Sequence, residues 1–87
     1  MKIKEGFILR NVAGSNVVVP VGQATVDFNG MMSLNDTGAF LFDKLTKGTT
    51  EEQLISDLMD EYSIDKELAT KDVKDFIEKV ESEGLFE

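Results

Sequence analysis

The hydrophobic pattern of this chain changes its period once, between Leu34 and Asn35, and that change limits the folds open to it. Before it, residues 7–12 and 17–21 are apolar, largely β-branched runs, which favour strands. After it, apolar residues recur three and four positions apart, as in an amphipathic helix. The 87 residues, 41 % of them apolar, suit one compact domain spanning residues 1–87. The sequence therefore predicts an α+β fold in which strands precede helices.

The first half predicts a three-stranded antiparallel sheet. Residues 13–16, with sequence AGSN, separate the first two strands as a hairpin turn would. Pro20 cannot donate to a sheet ladder, which places that end of the second strand at a sheet edge or a bulge. The stretch that follows is either a longer connection or contains a short extra strand at residues 25–28 before an Asn29-Gly30 turn.

Residues 31–34 predict the last strand. Side chains alternate along a strand, which puts Met32 and Leu34 on one face and Met31 and Ser33 on the other. Methionine fills irregular cores and also lines adaptable peptide grooves. A core position is at least as well supported for Met32 as a groove position, whereas Met31 is the better candidate for contact with a partner.

Three helices are predicted after the sheet, each bounded by residues that favour helix ends. The signals are Asn35 and Gly48 for the first helix, Thr49 or Thr50 for the second, and Asp65 and Gly84 for the third. A three-stranded sheet followed by three helices is the order of a winged helix-turn-helix fold.

Composition argues against catalysis. The chain has no cysteine and no histidine, so it lacks a thiolate nucleophile and the commonest catalytic base and metal ligand. The densest acidic group, Asp57, Asp60 and Glu61, lies opposite the apolar stripe of the second predicted helix. Catalytic carboxylates usually need a partly buried setting that shifts their pKa. We therefore expect no enzyme activity, no bound metal and no cofactor.

Net charge limits the choice of partner. Nine basic against seventeen acidic residues give a formal charge of −8, which disfavours nucleic acid and anionic membranes and attracts basic peptides. Residues 66–83, around the third helix, carry four lysines and six acidic residues, an unsuitable balance for a DNA-reading helix. No run of apolar residues is long enough for a membrane span or a secretory signal, which predicts a cytoplasmic protein.

Five segments, in this order and spacing, resemble a known family across nearly the whole chain. They are FILR at 7–10, VVVPVG at 17–22, GMMSLNDTGA at 30–39, GTTEE at 48–52, and the closing helix at 72–85. The family is the pyrroloquinoline quinone biosynthesis protein D (PqqD-like) family, also described as the recognition element of ribosomally made, post-translationally modified peptides (RiPPs). Residues 23–28 depart from it, because they lengthen the connection before the third strand and so affect the docking edge.

The resemblance implies a peptide chaperone without catalytic chemistry. Such a protein binds the leader segment of a precursor peptide as an added strand and presents it to a modifying enzyme, often of the radical S-adenosylmethionine (radical SAM) class. Carried onto this sequence, the leader would pair with the third strand, lie on an apolar floor and meet a polar rim. These positions are Gly30, Met31, Met32, Ser33 and Leu34 for the strand, Val73 and Phe76 for the floor, and Lys71, Asp75 and Lys79 for the rim.

Two other functions remain open on the sequence. One is a winged-helix DNA-binding protein, which the charge disfavours. The other is a docking or regulatory subunit that does not touch the substrate peptide and uses an exposed patch such as Phe40 with Phe86. An exposed edge strand also permits a homodimer formed by edge-to-edge pairing.

Overall fold

The computed structural model describes residues 1–28 and 31–87. The elements, in chain order, are β1 (Phe7–Val12), β2 (Ser15–Pro20), α1 (Ala24–Asp27), β3 (Met32–Leu34), α2 (Asp36–Lys47), α3 (Glu51–Tyr62) and α4 (Lys66–Ser82). The strands form one antiparallel sheet in the order β1-β2-β3, so β2 is central and β3 is an edge. An antiparallel sheet followed by three long helices is the α+β architecture that the sequence predicts.

The β1-β2 hairpin has a shorter turn than predicted. Val12 lies opposite Ser15, so Ala13 and Gly14 alone form the turn. Both have positive φ, 52° and 85°, as a two-residue turn matched to the strand twist requires. The predicted four-residue turn was wrong because alanine seldom adopts positive φ, and Ala13-Gly14 therefore gives no turn signal of this type.

The segment between β2 and β3 contains the short helix α1, and an extra strand at residues 25–28 was a wrong alternative. The hydroxyl of Thr25 donates to the carbonyl of Gly22 at 2.8 Å within this turn. The ring of Phe28 packs edge-on against Phe7, with centroids 5.2 Å apart. Four residues are too few to show a helical period in the sequence. The Asn29-Gly30 turn falls outside the described residues.

Pro20 is the last residue of β2, opposite Phe7. Strand β3 pairs with residues 16–18 of β2, so Pro20 lies beyond the end of β3. Within the described residues, the missing N–H of Pro20 therefore removes no bond of the β2-β3 ladder, which agrees with the predicted position at a margin of the sheet.

Side-chain caps fix the starts of the three long helices. The bonds run from Gly38 N to Asn35 Oδ1 (2.7 Å), from Gln53 N to Thr50 Oγ1 (3.1 Å) and from Leu68 N to Asp65 Oδ1 (2.8 Å). Each satisfies a backbone N–H that has no partner inside its own helix. Thr50, of the two predicted threonines, is the cap of α3. Gly84, with φ of 72°, follows the end of α4 as predicted.

The core lies between the inner face of the sheet and the three long helices. Its buried side chains from the regular elements are Val18, Met32, Leu34, Leu41, Phe42, Leu45, Leu54, Leu58, Ala69, Val73, Phe76 and Val80. None of the buried side chains in the described part of the chain is polar. A β-bridge between Ile3 and Phe86 joins the two ends of the described chain beside this core. Within residues 1–28 and 31–87, no helix is long and apolar enough to cross a membrane.

Candidate functional site

The outer edge of β3 presents backbone groups that β2 does not use. Val21 N donates to Gly6 O, so alternate residues of β2 face β1, and Asn16 and Val18 face β3. These two are opposite Leu34 and Met32, which therefore bond to β2. The N–H and C=O of Ser33, between them, consequently point outward along the free edge.

A lysine from α4 reaches this edge. Lys79 Nζ donates to the carbonyl oxygen of Ser33 at 3.3 Å, a contact that agrees with the outward direction of that carbonyl. A carbonyl oxygen has two lone pairs, so Ser33 can accept a second hydrogen bond or exchange this one for another donor. The contact ties α4 to the β3 edge across 46 residues of sequence.

A cavity of about 280 Å³ opens between the end of β3, the start of α2 and the outer face of α4. Its lining residues are Leu34, Asn35, Thr37, Gly38, Leu41, Asp72, Asp75, Phe76 and Lys79. The floor is apolar, from Leu34, Leu41 and Phe76, and the rim is charged. A groove with an apolar floor beside an unpaired strand edge has the form that peptide recognition by strand addition requires.

Gly38 brings α2 close to α4 at this cavity. A Cβ atom on Gly38 would lie 3.3 Å from Phe76 Cε1 and 3.3 Å from Leu34 Cβ. Such contacts are tighter than ordinary van der Waals separations. The missing side chain therefore allows the first turn of α2 to pack against β3 and α4.

The rim charges on α4 differ in how far they are already paired. Lys71 Nζ lies 2.8 Å from Asp75 Oδ2, one helical turn away. The hydrogen bond that Lys71 donates to Asp75, together with the negative charge of that carboxylate, raises the pKa of Lys71. Asp72, half-buried in the cavity wall, has no hydrogen bond or ion pair from its side chain within the described part of the molecule.

The sequence model of the family described as "Coenzyme PQQ synthesis protein D (PqqD)" matches residues 11–85, most of the chain. The chain belongs to the PqqD family. No protein in the curated collection of characterised proteins matches it.

Two solved structures share the fold of this PqqD-family chain. One is TbiB1 in complex with the TbiA(beta) leader peptide, at 21% identity and a TM-score of 0.76, covering 100% of this chain and 95% of that one. The other is a lasso peptide synthetase B1 complexed with the leader peptide, at 17% identity and a TM-score of 0.71, covering 97% and 93%. At these identities the likeness establishes the common fold.

The PqqD-family fold brings half of the predicted site residues together. Leu34, Asp75, Phe76 and Lys79 line the cavity, and Ser33 lies beside it at the strand edge. Lys71 stands outside the cavity lining and contacts Asp75.

The other predicted positions have different settings. Met31, just before β3, is 70 % exposed, whereas Met32 is 6 % exposed and packs in the core, as the alternation along the strand predicts. Val73 is fully buried in the core and is not among the cavity-lining residues. Gly30 lies outside the described residues. None of these settings tests a role in peptide binding.

Sequence reasoning missed the α2 side of the cavity and one carboxylate. Nothing in the sequence around Thr37 indicates that it lines a cavity. Asn35 was assigned only to capping the first helix, and Gly38 appeared only within the segment at residues 30–39 that resembles the family. Asp72 could have been found, because it lies three and four positions before Asp75 and Phe76 on the same helix face.

The remaining candidates lie elsewhere. Asp57 accepts a bond from Gln53 Nε2 at 2.9 Å on α3, and the described residues contain no group of three acidic, histidine or cysteine side chains placed to hold a metal. Phe40 packs perpendicular to Tyr62 with centroids 5.9 Å apart, while Phe86 bridges to Ile3. The two phenylalanines of the predicted docking patch therefore have separate partners.

Proposed function

We propose that this chain is a peptide chaperone that binds the leader segment of a ribosomally made precursor peptide and presents it to a modifying enzyme. The leader adds as a fourth strand to the outer edge of β3, with α4 alongside. The observation that carries this proposal is the outward-pointing backbone of Ser33 beside a cavity with an apolar floor. Family membership and the two leader-bound neighbours of the same fold support it.

Strand addition divides the recognition between backbone and side chains. Hydrogen bonds to Ser33, and to Met31 two residues before it, set the register of the leader. Side chains of an added strand alternate between two faces, so every second leader residue points toward the inner face that Leu34 shares. One of these inward side chains enters the cavity floored by Leu34, Leu41 and Phe76.

The charges of α4 favour a peptide over nucleic acid. Of its four lysines, Lys71 pairs with Asp75, Lys74 lies 3.5 Å from Glu51, and Lys79 donates to Ser33. The same helix region carries six acidic residues. A helix that reads DNA needs an excess of positive charge for the phosphates.

The modifying enzyme that receives the leader belongs, in this proposal, to the radical SAM class.

An N-methyl scan of the leader tests strand addition directly. Any short peptide encoded next to the gene for this chain supplies the candidate leader, which is synthesised with one backbone nitrogen methylated at a time. Methylation of a nitrogen that faces β3 should weaken binding about fivefold, since a hydrogen bond contributes about 1 kcal/mol. Methylation of the nitrogens between them should leave the Kd nearly unchanged, because their N–H groups face away from the sheet.

The pattern of losses decides the outcome of the scan. An alternating loss of affinity, measured by isothermal titration calorimetry, supports a strand at the β3 edge. An uninterrupted run of equal losses points to a bound helix and rejects strand addition. A leader that does not bind at all rejects the peptide-chaperone function itself.

A further inference from the structure

Asp72 is the one cavity-lining carboxylate on α4 that lacks a cationic partner within the described part of the chain. Its neighbour Asp75 is paired with Lys71 at 2.8 Å. The third charged residue of the rim, Lys79, is directed to the backbone of Ser33. Asp72 is half-buried, so its carboxylate stands where an occupant of the cavity would meet it.

The cavity therefore combines an apolar floor with a rim of two carboxylates and one lysine, in which Asp72 is the charge that lacks a partner within the described residues. A side chain that satisfies both needs an apolar stem of several carbons and a cationic end. Arginine and lysine have this form, and each commonly buries its stem along apolar surface while its charged end stays in a polar setting. An aliphatic or aromatic side chain would cover the floor and leave Asp72 without a partner.

The charge of the whole chain acts in the same direction. At −8, the protein attracts cationic segments and repels acidic ones at a distance. A carboxylate in the cavity then makes this general attraction selective for a cationic side chain at one position of the peptide. Arginine gains most, because its planar guanidinium can donate two parallel bonds to a carboxylate.

We infer that the leader residue that enters the β3-α4 cavity is arginine or lysine, and that Asp72 is the residue that selects it. The inference rests on the proposed function and adds the chemistry of one subsite to it. It assigns to Asp72 a role in specificity that the backbone pairing at Ser33 does not supply.

Selection from a displayed library of random linear peptides tests this inference on the full chain. Wild-type protein is expected to enrich arginine or lysine at one position flanked, two residues away, by apolar residues. The Asp72→Asn variant should lose the cationic enrichment and keep the apolar positions. Asp72→Lys should move the enrichment to aspartate and glutamate, a result that a merely structural role would not produce.

Asp60→Asn is the matched control, since it removes one exposed negative charge from α3, which contributes no residue to the cavity. It should keep the wild-type enrichment. For one selected peptide, replacing its arginine by glutamine should raise the Kd about fivefold on wild type and leave it unchanged on Asp72→Asn. Circular dichroism on each variant checks that it is folded.

Three outcomes are distinguishable. Enrichment of arginine or lysine by the wild-type chain, its loss in Asp72→Asn and its change to acidic residues in Asp72→Lys support the inference. Selection of peptides with apolar positions only, or a cationic preference that survives Asp72→Asn, overturns the inference and leaves peptide binding in place. Failure of the wild-type chain to enrich any peptide overturns the proposed function, and the subsite assignment with it.

Discussion

Gly38 is the residue on which the shape of the cavity depends most directly. It is the third residue of α2, where its own backbone N–H is held by the cap Asn35. Its missing side chain leaves room for the edge of Phe76 on one side and Leu34 on the other. The missing side chain of Gly38 therefore allows α2 to pack closely and also leaves the cavity open.

Enlarging Gly38 should cost stability in proportion to the volume added. Gly38→Val inserts a branched side chain into a contact of 3.3 Å, and overpacking of this kind costs about 1–3 kcal/mol. Gly38→Ala is the comparison, because its gain in helix propensity, up to about 1 kcal/mol, offsets a smaller clash. Urea denaturation gives the free energy of unfolding. A valine variant as stable as wild type would contradict the close approach of α2 and α4.

The cap of α2 gives a second prediction at a single residue. Asn35→Ala removes the acceptor for Gly38 N and should lower the free energy of unfolding by about 1 kcal/mol. Asn35→Asp keeps an acceptor in the same place and should cost little. Thermal and urea unfolding of both variants check this. Equal losses in the two variants would show that the cap bond does not stabilise the fold.

At the scale of single elements, β3 is one of the two edge strands of the sheet. It is three residues long, and its outer edge carries the N–H and C=O of Ser33, of which the C=O already accepts a hydrogen bond from Lys79. Short length and a lysine at the edge are two ways in which proteins prevent strands of different molecules from pairing. The same edge is the one proposed for the leader, so Lys79 must share or leave that carbonyl when the leader binds.

Removing the ammonium group of Lys79 should increase self-association. Lys79→Met frees the Ser33 carbonyl while keeping an unbranched side chain, so edge-to-edge pairing of two copies becomes easier. Lys74→Met is the control, because it removes the same charge from a residue that faces Glu51 on α3. Sedimentation velocity over a concentration series measures the dimer. Equal association of the two variants would show that Lys79 does not protect the edge.

The elements differ in how well the sequence specified them. The long helices were predictable, because Asn35, Thr50 and Asp65 are strong caps and each helix shows a full apolar stripe. The hairpin turn and α1 were not, since Ala13 adopts an uncommon positive φ and α1 is a single turn. Where only a few residues adopt an unusual conformation, as in the hairpin turn and α1, the hydrophobic pattern does not predict the structure.

At the scale of the whole molecule, the site depends on contacts between elements far apart in sequence. The cavity joins the end of β3 and the start of α2 to residues of α4 that follow more than thirty positions later. The resemblance to the family named Asp75, Phe76 and Lys79 of α4 in advance, and their spacing puts them on one helix face. Asp72 lies on that same helix face and was overlooked, whereas Thr37 was not predictable, because its place in the cavity wall depends on how α2 packs against α4.

The net charge of −8 predicts that binding of a cationic leader weakens with salt. Raising the ionic strength from about 0.1 M to about 1 M shortens the screening length from about 10 Å to about 3 Å. The Kd, measured by fluorescence anisotropy with the labelled leader, should rise over this range. The arginine-to-glutamine peptide, as a control, should respond less. Two identical salt responses would contradict a charged subsite.

The most direct test of leader addition at β3 is an amide chemical-shift titration of the isotope-labelled chain with the leader, repeated with a scrambled peptide. The predicted result is a set of shifts confined to residues 31–34, the first turn of α2 and the outer face of α4, absent with the scrambled peptide. Shifts confined to the β1 edge or to α3, or no response at high micromolar leader, would contradict it.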